Sequence, residues 1–206
     1  MKLHSNIILL IVMTPILVWS AWEPYDRLTW WLEVCPVFAG FIALFILQKK
    51  NWRISNFSMV LIGMHMILLA VGGHYTYARV PIGDWAKDVF DLSRNHYDRL
   101  GHIFQGLTPA ILCRELFIRK RVVALRGWTS VLIVSFCMAV SAIYELLEWA
   151  AALVSVEASQ SFLGTQGDHW DTQSDMLCAL IGAVGAVVLL RFAHNRSMRK
   201  ISCFKP

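Results

Sequence analysis

The chain has little charge, no paired cysteines and no long polar stretch. Only 16% of its 206 residues are Asp, Glu, Lys or Arg, while 57% are hydrophobic. A soluble domain of this size would have too little polar surface to cover such a core, so the composition indicates an integral membrane protein. The five cysteines, Cys35, Cys113, Cys137, Cys178 and Cys203, form no C-x-x-C pair. That argues against structural disulfides and against a thiolate metal site. There is no H-E-x-x-H, no Cys/His zinc signature, no low-complexity tract and no inverted two-half pattern of the kind transporters often carry. What is left is a helical membrane protein whose chemistry must come from carboxylates, imidazoles and a few arginines.

A helix needs about 20 mostly apolar residues to cross the hydrocarbon. Six segments meet that requirement: residues 7–22, 29–48, 55–73, 97–116, 128–150 and 171–190. The expected fold is therefore all-α, a bundle of six transmembrane helices forming one domain over residues 1–206. The net charge of +5 is not spread as in a nucleic-acid binder. Lys2, Lys49, Lys50, Arg53, Arg114, Arg119, Lys120, Arg121, Arg126, Arg191, Arg196 and Arg199 fall on alternate connections and on the two ends of the chain. Glu23, Asp26, Asp84, Asp88, Asp91, Glu157 and Asp168 fall on the others. Cytoplasmic loops attract Lys and Arg, so both termini are expected in the cytoplasm and the acidic loops outside. The first segment has features of a secretory signal, but Trp19 and Trp22 read as interface anchors and favour an uncleaved helix. The long outer connection from Tyr75 to His96 reads as a structured cap. Residues 155–167 read as a second outer loop ending in a turn at Gly164-Thr165-Gln166-Gly167. Gly182, Ala183 and Gly185, with Ala179 and Ala186, allow close helix packing in the last span.

Three apolar segments each carry a polar stripe at helical spacing. One is Asp98, His102 and Gln105; the second is Ser141, Glu145 and Glu148; the third is Asp168, Asp171 and Asp175. Steps of three and four residues place each set on one helix face. With the expected orientation, all three lie within two turns of the outer interface, beside His74 at the end of the third span. A carboxylate near lipid costs free energy, so a cluster of them needs partners or a purpose. The inner halves of the spans read as free of acids, with His65 the main deep ionisable group and His4 and His194 assigned to the inner surface. Local explanations compete with a shared site. Asp168 and Asp171 can cap a helix, Asp98 can neutralise Arg99, and Glu148 can reach the interface beside Trp149.

A divalent cation would reconcile so many acids, and carboxylate with imidazole suits Zn, Mn, Mg, Ca or non-haem iron. The expected ligands are Asp98, His102, Glu145, Asp171 and Asp175, with Glu148 or His74 as acid or base and Arg79 or Arg99 orienting an anionic substrate. Such a site would act on membrane lipids or a lipid-linked head group at the outer leaflet, as a metal-dependent, hydrolase-like enzyme. Two other classes compete with it. One is a proton or cation transporter, which uses intramembrane carboxylates but needs a path to the other side. The other is a non-enzymatic protein whose acids fasten helices or bind a partner.

Tyr144-Glu145-Leu146-Leu147-Glu148-Trp149 resembles the YjdF family of bacterial inner membrane proteins, as does the run from Gly164 to Met176 containing Asp168, Trp170, Asp171, Thr172, Gln173 and Asp175. His74-Tyr75-Thr76-Tyr77 and Asn95-His96-Tyr97-Asp98-Arg99, followed by His102, fit the same family. The resemblance covers most of the chain. It implies a small multi-pass protein of the bacterial inner membrane and brings no catalytic residues with it. A second, weaker similarity is to VanZ-like proteins. Asp175 and Gly182-Ala183 fit their order, but Ala179 stands where those proteins have Asn.

Overall fold

The structure is a computed structural model that describes residues 5–124, 126–154 and 166–201. The described residues form helices joined by short turns: α1 (Ser5–Ala21), α2 (Arg27–Lys49), α3 (Asn56–Tyr75), α4 (Pro81–Phe90), α5 (Tyr97–Lys120), α6 (Arg126–Val154), α7 (Asp171–Val188) and α8 (Arg191–Met198), with one 3₁₀ turn at Tyr77–Arg79. Most of the expected second outer loop, 155–165, lies outside the described residues, as does His4.

Four helices are long and apolar enough to cross a membrane: Arg27–Lys49, Asn56–Tyr75, Gly127–Leu153 and Asp171–Val188. The helix Ser5–Ala21 is apolar but shorter. α5 is long but carries Asp98, Arg99, Arg114, Glu115, Arg119 and Lys120, so it is more polar than those four while running the full length of the bundle. Local signals define the ends. Asp26 caps α2 by accepting from the Leu28 and Thr29 N–H groups, and Ser55 caps α3 through Ser58 N–H. Each supplies an acceptor to donors the first helical turn leaves unpaired.

Both described ends of the chain lie at the same end of the bundle. Ser5 hydrogen-bonds Asn56, Asn6 bonds Gln48, and Phe57 N–H donates to Ser197 Oγ. At the opposite end, Tyr25 N–H donates to the His74 carbonyl. α1 is keyed into the bundle by polar contacts as well as by packing. Ser20 Oγ donates to the Ala70 carbonyl at 2.6 Å and accepts from the Trp30 indole at 2.9 Å. Such buried hydrogen bonds contribute about 1 kcal/mol each.

Two cores divide the apolar contacts. One joins α1, α2 and α3 around Met13, Val34, Val37, Met66 and Leu69; the other joins α3, α5, α6 and α7 around Ile111, Ile133, Cys137 and Ala183. α3 serves both. The tightest pairing is α5 with α7, and glycine explains it. A Cβ at Gly106 would run into the Ala179 carbonyl, and one at Gly182 into the Ile103 carbonyl. The two backbones therefore touch directly, the close approach that small residues permit in membranes. His102 is one turn before Gly106, and Asp175 is one turn before Ala179, so this contact brings them face to face.

The connection expected to lie outside contains α4, entered through Pro81 at its first turn and closed by Asp91 in the left-handed conformation. Ile82, Trp85, Val89 and Phe90 are exposed along one side of it, the pattern of a helix lying in the membrane interface. Asn95 anchors the segment: its amide donates to the Val80 carbonyl and to Asp84, both at 3.0 Å, and any Cβ at Gly83 would collide with that amide. This anchoring delivers the chain to Tyr97 in a fixed direction.

Candidate functional site

The ends of α5, α6 and α7 opposite to the described chain ends form a buried polar chamber. Asp98, His102 and Asp175 each offer one ligand atom, and these atoms lie within 4.8 Å of one another. His102 is the hub. Its Nε2 lies 3.5 Å from Asp98 and 3.6 Å from Asp175, and its Nδ1 lies 3.7 Å from Glu145 and 3.1 Å from Gln105 Oε1. Gln105 thus holds one ring nitrogen while the other faces two carboxylates, the arrangement that orients a metal-binding imidazole.

Glu145 is 7% exposed and takes a hydrogen bond from Thr172, yet its Oε1 has no hydrogen-bond partner among the described residues. Leaving a buried carboxylate oxygen unsatisfied costs roughly 1–3 kcal/mol. Glu148 is also buried, within electrostatic reach of Asp98, Glu145, Glu33 and Asp175.

Beside this group lies an arginine–aspartate lattice. Arg94 contacts Asp171 at 2.5 Å and Asp168 at 3.4 Å. Arg99 contacts Asp171 at 2.7 Å, Asp168 at 3.0 Å and also Asp175, and it donates to the Asp171 carbonyl at 3.2 Å. Asp168 is held below its ordinary 3.8 by a hydrogen bond from Trp170 N–H and then by the two arginines. Asp171, expected among the metal ligands, is turned to the guanidinium groups. Arg99, expected to orient substrate, is engaged by three aspartates, and its partner is not Asp98. Among the described residues, only Asp175 belongs to both groups.

Two expected residues stand elsewhere. His74 Nδ1 donates to the Ser20 carbonyl at 3.1 Å, and its ring lies 4.4 Å from Trp19. Its contacts are thus with α1, not with the chamber acids, because α1 covers that face of α3. Arg79 is exposed, with its guanidinium 4.2 Å over the Tyr25 ring.

Arg94 is among the arginines expected to pair with these acids; sequence reasoning missed Glu33 and the two tyrosine hydroxyls of the chamber. Glu33 is 2% exposed on α2 and accepts from Tyr144 at 3.3 Å and from Tyr77. A lone acid in the apolar stretch of α2 should itself have been the signal, since an intramembrane carboxylate marks a function by default.

The expectation that the inner halves lack acids is overturned by Glu115. It is 2% exposed near the other end of α5, and His194, expected on the surface, is fully buried against it at 3.2 Å. Folding α8 back over the start of α3 buries both side chains.

The chamber holds the carboxyls of Glu33, Asp98, Glu145, Glu148, Asp168, Asp171 and Asp175 against Arg94, Arg99 and His102. Even a protonated His102 leaves acids in excess, so protons or a cation must balance the remainder. The residues present fit a divalent cation: an imidazole with one nitrogen held, two carboxylates in reach and a third with an open oxygen.

Comparison with known proteins agrees with the membrane character of the helices. The chain is 44% identical over 190 residues to the inner membrane protein YjdF of Escherichia coli (strain K12), covering 92% of this chain and 90% of that protein. No solved structure matches the chain. A family model described as "Predicted membrane protein (DUF2238)" matches residues 5–196, and the chain belongs to that family, which is the YjdF family.

Proposed function

We propose that the chain is a six-span protein of the bacterial inner membrane, both termini cytoplasmic, with a divalent-cation-dependent, hydrolase-like site at its outer face. Its substrate would be a lipid or lipid-linked head group. The observation that carries this reading is the convergence of Asp98, His102 and Asp175 ligand atoms within 4.8 Å, beside a Glu145 oxygen that accepts no hydrogen bond from the described residues. The six-span topology is supported by α1 and α5 running alongside the four long apolar helices, and by Lys and Arg gathering at the end of the bundle that holds both chain ends.

Asp98, His102, Asp175 and Glu145 would hold the cation, which when bound would polarise a phosphoryl or carbonyl oxygen and favour attack by water. Glu148 is the group placed to take or give the proton. The arginine–aspartate lattice would keep α5 and α7 in register and hold the carboxylate of Asp175 toward His102. Neither His74 nor Arg79 enters this reading.

Metal analysis of detergent-purified wild type beside Asp175→Ala and Glu145→Gln tests the proposal. A stoichiometric divalent metal in wild type, lost or reduced in both variants, is expected. Wild type with only trace metal, and no change in thermal stability on adding Zn, Mn, Mg or Ca, would rule the cation out.

A second reading, proton or cation passage, gains from Glu115, which supplies an acid at the opposite end with His65 between it and the chamber. Proteoliposome flux abolished by both Glu145→Gln and Glu115→Gln would favour it over hydrolysis.

A further inference from the structure

α2 packs along α3 but makes no comparable contact with α5 or α6. Between them lies a cavity of about 410 Å³ reaching from the middle of the bundle to its basic end. Its wall is apolar, lined by Leu44 and Leu47 of α2, Met66 of α3, Leu112 and Cys113 of α5 and Phe136 of α6. On α2 it extends from Pro36 to Leu47, roughly 16 Å at helical rise. That is close to half the hydrocarbon thickness of about 30 Å, the depth one acyl tail occupies.

The basic end of this cleft is rimmed by cations. Trp52 lines the cavity, with Arg119 at 3.9 Å and Lys120 at 4.9 Å over its ring. Arg53 follows Trp52 directly, and its side chain and that of Lys120 are exposed. Glu115 also lines the wall, but its carboxylate is occupied by Arg119, His194, Ser58 and the Ser55 N–H. The rim is therefore net positive. An apolar slot of one-tail depth beneath a basic and aromatic rim matches an anionic phospholipid, with its tail among the helices and its phosphate among the cations.

We infer that the cleft between α2 and α6 is a binding site for one acyl chain of an anionic phospholipid, whose phosphate sits between Arg53 and Lys120. This site is separate from the acidic chamber and does not depend on the enzymatic reading. It would secure α2, which carries Glu33 into the chamber, to a half of the bundle it barely touches.

The test uses full-length protein purified in mild detergent from membranes containing both zwitterionic and anionic phospholipids. Native mass spectrometry and extraction of bound lipid are the readouts. Wild type is expected to retain about one phospholipid per chain, enriched in the anionic class. Ala43→Phe and, separately, Cys113→Phe fill the slot and should abolish retention, with helicity and elution volume unchanged. Arg53→Ala and Lys120→Ala should each lower anionic retention roughly fivefold and leave the tail slot intact.

Wild type without bound lipid would overturn the inference. So would equal retention in the filled variants, or retention with no preference for anionic head groups. A dimer dissociated by Ala43→Phe would instead make the occupant a second copy of the chain, and would equally overturn it.

Discussion

At the basic end of the bundle, every oxygen of Glu115 has a partner: Ser55 N–H at 2.9 Å and Arg119 at 2.6 Å on one, Ser58 at 2.7 Å and His194 at 3.2 Å on the other. At the acidic end, Glu145 is buried to a similar degree, yet its Oε1 has no hydrogen-bond donor among the described residues, only His102 Nδ1 at 3.7 Å. Both carboxylates sit on long helices near the bundle end. The contrast separates two uses of a buried acid. One with a full set of donors fastens α3, α5 and α8 together. One left short of donors, among other acids, is held in place by its surroundings and is open to a ligand.

The contrast depends on helices that touch by backbone, and Gly106→Leu is the harshest test of that. The new side chain cannot fit against Ala179, so α5 and α7 must separate. Expected is a loss of 3 kcal/mol or more of stability, beyond ordinary overpacking, read as failure to elute as a single species or as a large fall in thermal midpoint. Next is Glu115→Ala, which strands Arg119, His194 and Ser58. Removing one side of a buried charge network costs about 3–5 kcal/mol, so the midpoint should fall sharply while the metal content of any folded fraction is unchanged.

Glu145→Gln should show the reverse. With no hydrogen bond lost at Oε1, stability should change by less than about 1 kcal/mol, while cation affinity falls about tenfold or more. If Glu145→Gln destabilises as much as Glu115→Ala, the two acids do the same job and the distinction fails.

The smallest effect belongs to Asp168, whose acidity is raised by Trp170 N–H and the arginines. A carboxyl with a depressed folded value contributes stability above its unfolded value and loses it as pH falls through the folded one. Asp168→Asn should therefore be slightly less stable than wild type at neutral pH and should converge with it below pH 3.8, measured by thermal unfolding across pH.

The helices were largely legible because apolar length and polar periodicity are local properties. Expected residues 29–48 became Arg27–Lys49, 55–73 became Asn56–Tyr75, and 97–116 became Tyr97–Lys120. The stripes on α5, α6 and α7 were legible for the same reason, since spacing of three and four puts residues on one face before any partner is known. Partnership was not legible. Nothing in the spacing says that Arg94, at the end of the α4 connection, pairs with Asp171, or that Arg99 turns away from its neighbour Asp98 toward α7. His74 was misjudged because depth alone placed it near the acids, whereas the fold puts α1 against its ring. Glu33 has no companion at helical spacing on α2, so a search for stripes passes over it. Glu115 and His194 are 79 residues apart and come together only when α8 folds back.

The contact of α5 with α7 through Gly106 and Gly182 carries a consequence for the selectivity of the proposed cation site. The separation of the two helices that carry His102 and Asp175 is set by main-chain atoms already in van der Waals contact. Substitutions around the rim can change which donors point inward, but they cannot widen the gap between the two helices. Preference for one ion radius over another would then reside in the backbone itself, and altering it would require changing the glycines rather than the acids.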